Sequence, residues 1–325
     1  MNRFAAIWIC GLWIAGCQEA AIRDLRGVRT AVAEKSDSRK VADAVNRGSD
    51  SRITYVASPK TAKPKMKDRI RATLIQYDCT NDKQESVARL LNLVDKSAPK
   101  SDLIVLGETV FAPYTNCKDY QAVAEPVPGP FTDSLAKIAR EHKIHICSGL
   151  VEKDGDKLFN TAVLIGPDGR ILCKYRKTSL TTVDEKYFQA GNGPMVVETE
   201  LGRIGILICK DSQDLDVINA LAQQNPQMIL VPSYGLGKTD YSTKLEIDCM
   251  VDESIDEWRL RMQALAKWCH AVVLRADHVG TEGKQVRVGH SIAVSSGGYV
   301  IAEATMKPAC LDVIIKADSP DQKHW

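Results

Sequence analysis

The pattern of apolar and polar positions divides the chain into three parts. Residues 4–15 form an almost uninterrupted apolar run, whereas residues 18–67 are polar and contain few large apolar side chains. From Arg71 to Ile315, short apolar runs alternate with amphipathic segments, which is typical of a folded domain. The Pro/Lys-rich stretch at 58–65 has the composition of a linker, so the middle part is interpreted as a tether.

The third part contains both strand and helix patterns. Predicted strands cover 72–77, 103–106, 144–151, 159–165, 171–175, 195–198, 203–208, 228–232, 271–276, 291–295, 299–303 and 311–315. Predicted helices cover 82–97, 131–142, 215–223 and 254–269. The turn Pro167-Asp168-Gly169 predicts a hairpin between two of the strands. This alternation favours an α/β domain with mixed sheets.

Charge is distributed unevenly along the 325 residues. The net charge is +2, but residues 1–67 carry 13 Lys/Arg against 6 Asp/Glu, and the remainder carries 30 against 35. The basic part is a tail and the domain is acidic, so nucleic-acid binding is not predicted. Residues 17–67 are interpreted as a flexible, solvated basic tether. The more specific alternative is a tether that also contacts anionic lipid headgroups.

The N-terminus has the layout of an export signal. A short basic segment, Met1-Asn2-Arg3, precedes the apolar run, which is shorter than the roughly 20 residues of a membrane-spanning helix. Ile14-Ala15-Gly16-Cys17 resembles the lipobox of bacterial lipoproteins, which implies a signal peptide at 1–16 and a lipid on Cys17. The expected location is the bacterial cell envelope, lipid-anchored and facing the periplasm, with the outer membrane favoured by Gln18. The alternative is a plain secretory signal.

Three apolar runs deliver residues with catalytic chemistry: Glu108, Lys177 and Cys209. A thiol with its ordinary pKa of about 8.5 is mostly protonated at neutral pH, so a nucleophilic cysteine needs a base. Glu108 is the candidate base. A carbonyl attacked by a thiolate becomes an oxyanion, which Lys177 would stabilise. The pattern therefore predicts a cysteine hydrolase.

The order and spacing of these residues resemble the nitrilase, or carbon–nitrogen hydrolase, superfamily. Lys177 and Cys209 lie 32 positions apart, as in the amidases of that family. Further matching segments are Val127-Pro128-Gly129-Pro130, Asn160-Thr161-Ala162, Gly166-Pro167-Asp168-Gly169 and Gly289-His290-Ser291. The resemblance implies a four-layer α-β-β-α sandwich over 68–318, a C-terminal tail at 319–325 and a homo-oligomer.

The resemblance also implies a mechanism. Glu108 would take the proton of Cys209, and the thiolate would attack a small amide or carbamoyl substrate. Lys177 and the backbone N–H of Lys210 would hold the oxyanion. The resulting thioester would be hydrolysed by a water that Glu108 activates. No metal and no organic cofactor is needed.

Three further residues are assigned to the site. Glu185 follows Lys177 by eight positions, where many members carry a second active-site glutamate, and would orient Lys177 or the substrate. Tyr114 and His290 are interpreted as pocket residues. Simple packing is the alternative for Tyr114, and a structural role is the alternative for His290.

The sequence departs from the family around the triad. Gly107 replaces a common proline, Ser179 replaces a common histidine, and residues 212–216 lack the usual aromatic-Pro-Glu. These changes lie around the substrate pocket, so they bear on substrate identity more than on chemistry. Two alternatives to hydrolysis stay open. One is acyl transfer to an amine, as in the related apolipoprotein N-acyltransferase. The other is a ligand-binding or scaffold lipoprotein on a decayed hydrolase fold.

The ten cysteines indicate no metal site. None of them forms a CxxC or similar spacing, so zinc binding is not expected. Apart from Cys10, Cys17 and Cys209, seven cysteines remain, and an odd number cannot all pair within the chain. One or two disulfides stay open, and no pairing follows from the sequence.

Overall fold

The structure, a computed structural model, describes residues 65–114, 117, 119–237, 244–283 and 285–317, with backbone alone at 244–247. The predicted signal peptide 1–16, Cys17, the tail 319–325 and almost all of the tether 17–67 lie outside the described residues. At the end of the tether, Met66 is buried and the N–H of Lys67 donates to the carbonyl of Leu201. The last residues assigned to the tether therefore pack on the domain.

Fourteen strands and five α-helices are formed by the described residues. The strands are β1 Arg69–Gln76, β2 Leu103–Val105, β3 His145–Asp154, β4 Lys157–Ile165, β5 Ile171–Arg176, β6 Val196–Thr199, β7 Gly202–Ile206, β8 Met228–Pro232, β9 Val272–Ala276, β10 Val279–Glu282, β11 Gln285–Val288, β12 Ile292–Val294, β13 Val300–Glu303 and β14 Ala309–Lys316. The helices are α1 Lys83–Ser97, α2 Tyr120–Val123, α3 Pro130–His142, α4 Leu215–Ala222 and α5 Lys244–Cys269. Short 3₁₀ helices lie at Ala98–Lys100, Asp184–Lys186 and Cys209–Gln213.

Two six-stranded sheets form the centre of the domain. The first has the order β14-β1-β2-β3-β4-β5 and the second β13-β12-β9-β8-β7-β6. Helices α1 and α3 cover the outer face of the first sheet, and α4 and α5 cover the outer face of the second. The predicted α-β-β-α sandwich is confirmed.

The uninterrupted apolar runs follow from this layering. In β2, Leu103 and Val105 point into the core between the sheets, whereas Ile104 points toward the helices. In β8, Leu230 faces the other sheet and Ile229 faces α4 and α5. Both faces of these central strands are buried, so alternation between apolar and polar residues is lost.

The hairpin β10–β11 was not predicted from the sequence. Its strands are short and contain Thr281, Glu282 and Arg287, so no apolar pattern marks them. Tertiary partners bury the charged groups instead: Tyr234 donates its hydroxyl to Glu282, and Arg287 contacts Asp78 at 2.6 Å. Helix α5 is also longer than predicted, because it begins at Lys244 rather than near residue 254.

The cysteines in the described ranges are all free thiols. They are Cys79, Cys117, Cys147, Cys173, Cys209, Cys249, Cys269 and Cys310. Within the same ranges, no helix has both the length and the apolar character needed to cross a bilayer. No cluster of three or more His, Cys, Asp or Glu side chains in the described part is arranged to hold a metal ion.

Candidate active site

The two sheets bring Glu108, Lys177 and Cys209 together. Glu108 follows β2 and Lys177 follows β5, and these two strands run in the same direction within the first sheet. Cys209 follows β7 of the second sheet. The Nζ atom of Lys177 lies 2.7 Å from Oε1 of Glu108. The thiol of Cys209 is close enough that both charges influence its pKa.

The carboxylate of Glu108 is completely buried, and only one of its two oxygens accepts hydrogen bonds from the described residues. Its Oε1 accepts hydrogen bonds from Lys177 and from Nδ2 of Asn160, each at 2.7 Å. Its Oε2 is buried and has no hydrogen-bond partner among the described residues. Burial raises the pKa of Glu108, although the ammonium group of Lys177 opposes this shift. The unpaired Oε2 is the oxygen available to accept a proton.

Lys177 lies between two carboxylates. Its Nζ is 2.8 Å from Oδ2 of Asp184 in addition to its contact with Glu108. Burial favours the neutral amine, but the negative charge of Glu108 and the other acidic groups outweighs it, so the pKa of Lys177 lies well above its ordinary value. Lys177 therefore remains an ammonium group that can stabilise a developing anion.

The acidic side chain that contacts Lys177 in the structure is Asp184 rather than the predicted Glu185. Asp184 is fully buried against Lys177, whereas Glu185 is exposed. Both residues lie on one 3₁₀ turn, on which successive side chains point roughly 120° apart, so only one of them can face Lys177. Asp184 is held in place by the N–H and hydroxyl of Thr181, both at 2.9 Å. In the structure, Asp184 rather than the predicted Glu185 is therefore positioned to orient Lys177.

Cys209 sits on a sharp turn between β7 and a 3₁₀ helix. Its φ of +45° lies in the left-handed region, which costs a non-glycine residue of order 1 kcal/mol and needs support from surrounding contacts. The side chain is 8% exposed. Burial and the nearby charge of Glu108 raise the pKa of the thiol, and Lys177 only partly offsets them. The resting thiol is therefore neutral and depends on a base.

Asp211 supports this turn from inside and was not identified from the sequence. Its Oδ2 accepts from the N–H of Ile208 at 2.9 Å and from the hydroxyl of Tyr175 at 2.7 Å. Its Oδ1 accepts from the N–H groups of Thr178 and Ser179 at 3.1 and 2.7 Å. The turn of Cys209 is thereby tied to the loop that follows Lys177.

The sequence marks Asn160 only as part of a segment that resembles the family. Its Nδ2 donates to Glu108 and lies 3.3 Å from Oδ1 of Asp184, so it bridges the two carboxylates that flank Lys177. The backbone carbonyl of Asn160 accepts a hydrogen bond from the backbone N–H of Lys177 at 2.8 Å. The sequence signal that could have identified it is an amide side chain inside the apolar run of β4, because a polar group buried in a strand needs specific partners.

The remaining predicted residues differ in their placement. Tyr114 lies beside Lys177, with Nζ 5.5 Å from its ring centre, and its hydroxyl contacts Thr181 at 2.6 Å. Lys210 lies in the first turn of the 3₁₀ helix, where N–H groups lack intrahelical acceptors, and its Nζ donates to a carbonyl. His290 contacts Glu303 of β13 at 2.9 Å, which favours the alternative of a structural role over the predicted pocket role.

A polar cavity of about 260 Å³ lies beside Tyr114. It is lined by Asp78, Cys79, Thr80, Asn81, Pro113, Thr281, Glu282, Gly283 and Arg287. Glu282 connects it to the site, because this carboxylate accepts from the N–H of Tyr114 and from the hydroxyl of Tyr234. The backbone of Tyr114 is therefore tied to a carboxylate in the wall of this cavity.

Comparison with known proteins gives consistent results. Residues 71–317 match the carbon-nitrogen hydrolase family. Omega-amidase NIT2 of Xenopus tropicalis is 28% identical over 262 residues, which cover 77% of this chain and 88% of that protein. A carbon-nitrogen hydrolase from Helicobacter pylori G27 superposes with a TM-score of 0.70 at 20% identity, covering 78% of this chain and 92% of that one.

A third similar structure carries a modified cysteine. It is a mutant of the amidase from Nesterenkonia sp. AN1, with covalent addition of the acetamide moiety of fluoroacetamide at the active site cysteine. Its TM-score is 0.63 at 19% identity, over 82% of this chain and 97% of that one. At this identity the likeness concerns the fold.

Proposed function

Because this chain belongs to the carbon–nitrogen hydrolase family, we propose that it is an amidase that forms a thioester on Cys209. The observation that carries the proposal is the buried contact between Lys177 and Glu108, made beside a neutral thiol. The charged pair supplies a base and a cation at one place, and the cysteine supplies the nucleophile. These three groups of different chemistry support attack on one substrate carbon.

The first half of the reaction acylates the cysteine. Oε2 of Glu108 takes the thiol proton, and the sulfur of Cys209 attacks the amide carbon. The carbonyl oxygen becomes an oxyanion, which Lys177 and the backbone N–H of Lys210 stabilise. The protonated Glu108 then gives its proton to the leaving nitrogen. The C–N bond breaks, ammonia or an amine departs, and a thioester remains.

The second half returns the free enzyme. Glu108 removes a proton from water, and the hydroxide oxygen attacks the thioester carbon. The same cation and N–H group hold the second oxyanion. When this intermediate collapses, the C–S bond breaks, the thiolate recovers the proton from Glu108, and a carboxylic acid is released.

The proposed substrate is a small linear amide, with carbamoyl compounds as the second class to test. The similarity to proteins named omega-amidases supports an amide at the end of a linear substrate.

Intact-mass analysis of the full-length protein tests this function. The protein and its Cys209→Ala variant are incubated with small amides, carbamoyl compounds and nitriles, and released ammonia is measured in parallel. We expect a transient acyl mass and ammonia with the parent and neither with the variant. An amide product formed when an amine is added would indicate acyl transfer instead. Binding of these compounds without adduct or ammonia would overturn the proposal in favour of a ligand-binding protein.

We further propose that Cys17 carries the lipid that anchors the protein in the bacterial envelope, facing the periplasm, and that the domain forms a homo-oligomer. The signal-like pattern of residues 1–17 supports the anchor. Mass analysis of the mature N-terminal peptide and membrane fractionation test it in the parent, Cys17→Ala and Cys10→Ala. Lipid on Cys17 should survive Cys10→Ala and be lost in Cys17→Ala. An unmodified mature N-terminus in the parent would refute the anchor, and sedimentation of the purified protein as a monomer would refute the oligomer.

A further inference from the structure

The residue before the candidate base leaves room for a histidine from the other sheet. A Cβ atom on Gly107 would lie 2.6 Å from Nε2 and 2.8 Å from Cδ2 of His278. Real Cβ atoms do not approach ring atoms so closely. The imidazole of His278 therefore occupies space that any residue other than glycine at position 107 would need.

The imidazole uses this space to contact the backbone of the base. Nε2 of His278 lies 2.8 Å from the carbonyl oxygen of Glu108, and because a carbonyl only accepts, Nε2 carries the hydrogen. The ring is fully buried and lies between Tyr77 and Tyr234, with centroid distances of 5.4 and 4.4 Å. Burial lowers the pKa of His278 to about 3, so the ring stays neutral at working pH.

A second hydrogen bond from the second sheet holds the backbone N–H of Glu108. The N–H of Glu108 donates to the carbonyl of Ser233 at 3.2 Å. Ser233 follows β8, and His278 lies two residues after β9, so both contacts come from the second sheet. Cys209 also follows a strand of the second sheet, β7, and the backbone of Tyr234, next to Ser233, is among the groups that influence the pKa of its thiol. The backbone of the base and the nucleophile are thus held by one set of neighbouring strand ends.

We propose that His278 is a positioning residue that fixes Glu108 against Cys209 by donating its Nε2–H to the Glu108 carbonyl through the space that Gly107 leaves open. The inference rests on the proposed function, because it assumes that Glu108 is the base. The imidazole contacts the backbone carbonyl of Glu108 rather than its carboxylate. Its effect is to hold the peptide that carries the carboxylate.

Steady-state kinetics of two substitutions test the hydrogen bond. His278→Leu removes the donor at similar volume, whereas His278→Gln places an amide N–H near the position of Nε2. A misplacement of about 1 Å can cost roughly 100-fold in rate, so we expect His278→Leu to lower kcat by about 10- to 100-fold with little change in KM. His278→Gln should restore most of kcat. Equal losses in both variants, or a loss confined to KM, would overturn the proposal.

A matched control separates positioning from general loss of packing. His145 is also a buried histidine, on β3, and contacts Glu200 at 3.7 Å rather than a triad residue. His145→Leu and His145→Gln should change the denaturant midpoint without the selective loss and rescue of kcat. If His145→Leu lowers kcat as much as His278→Leu, the kinetic effect is not specific to the proposed contact.

A double-mutant cycle tests the shared space and remains informative if one variant folds poorly. Gly107→Ala should push the imidazole away in the parent and lower kcat by about tenfold or more. On a His278→Ala background the clash with the ring is gone, so the same change should cost much less. Additive effects of the two substitutions would contradict the proposal.

Alkylation of the thiol separates this inference from the proposed function. The rate at which iodoacetamide modifies the Cys209 peptide is followed by mass spectrometry near pH 7, with Cys209→Ala defining the background. We expect slower alkylation in His278→Leu than in the parent and in His278→Gln. An effect on alkylation in a protein that cleaves no amide would refute the amidase function and keep the positioning role. Unchanged alkylation and unchanged kcat in His278→Leu would refute the positioning role itself.

Discussion

The carboxylate of Asp211 accepts a 2.7 Å hydrogen bond from the backbone N–H of Ser179. This contact links the two sheets at the site, because Asp211 lies in the turn of Cys209 and Ser179 lies in the loop after Lys177. The separation of Cys209 and Lys177 therefore depends on the carboxylate of Asp211.

Asp211→Asn should destabilise the protein and reduce turnover. The buried carboxylate accepts from four donors, and an amide can accept from only one of its two sides. Leaving buried donors unpaired costs about 1–3 kcal/mol each, so we expect a loss of roughly 2–4 kcal/mol in the free energy of unfolding. Denaturant titration measures it. Asp216→Asn, an exposed change nearby, should cost less than about 1 kcal/mol. Similar costs for the two variants would contradict the assigned role of Asp211.

Asp184→Asn and Glu185→Gln form a matched pair that tests which acidic residue supports Lys177. Asp184 contacts Nζ in the buried site, whereas Glu185 is exposed. Removing one partner of a buried charge leaves the cation poorly compensated, so we expect kcat to fall by roughly 100-fold or more in Asp184→Asn. Glu185→Gln should retain nearly full activity. The reverse ranking would restore the assignment made from sequence.

The pH dependence of kcat/KM should report Glu108 on its acidic limb. A base must be ionised, and burial raises the pKa of Glu108, so activity should decline as pH falls through a value above the ordinary range of glutamate. The pKa of Lys177 lies well above its ordinary value, so its deprotonation should produce no alkaline decline below about pH 10. A profile from pH 4 to 10 measures both limbs. An acidic limb at or below the ordinary pKa of glutamate would contradict this assignment.

Gly149→Ala should displace Glu108, because Gly149 of β3 lies directly against its backbone. A Cβ at this position of β3 would lie 2.6 Å from the carbonyl oxygen of Gly107 and 2.7 Å from Cα of Glu108. Overpacking of this kind costs roughly 1–3 kcal/mol, and the shift of Glu108 should lower kcat as well. Thermal unfolding and kinetics measure the two effects.

Gly155→Asn is the control for this substitution. Gly155 has open space around it and a φ of +59°, which asparagine tolerates. The control should therefore keep both stability and turnover close to those of the parent. A Gly149→Ala variant as active and as stable as the control would show that this close approach is not needed.

Much of the fold could be predicted from local patterns, and the misses have a common cause. Apolar runs such as 103–106 and 228–232 marked central strands, because both faces of such strands are buried. Hairpin β10–β11 lacked such a pattern, since Glu282 and Arg287 are buried only through partners far away in sequence. The start of α5 was missed in the same way, because residues 244–253 show no sustained apolar stripe on their own.

The sequence by itself determined the α/β class of the domain and marked Glu108, Lys177 and Cys209 as candidate site residues, because apolar runs ending in reactive residues are local patterns. Tertiary structure alone decided which neighbouring residues contact these candidates. A single 3₁₀ turn selects Asp184 over Glu185, and the meeting of two sheets brings His278 to Gly107 across a separation of more than 160 residues. Such contacts depend on register and turn geometry in distant segments, which no local pattern encodes.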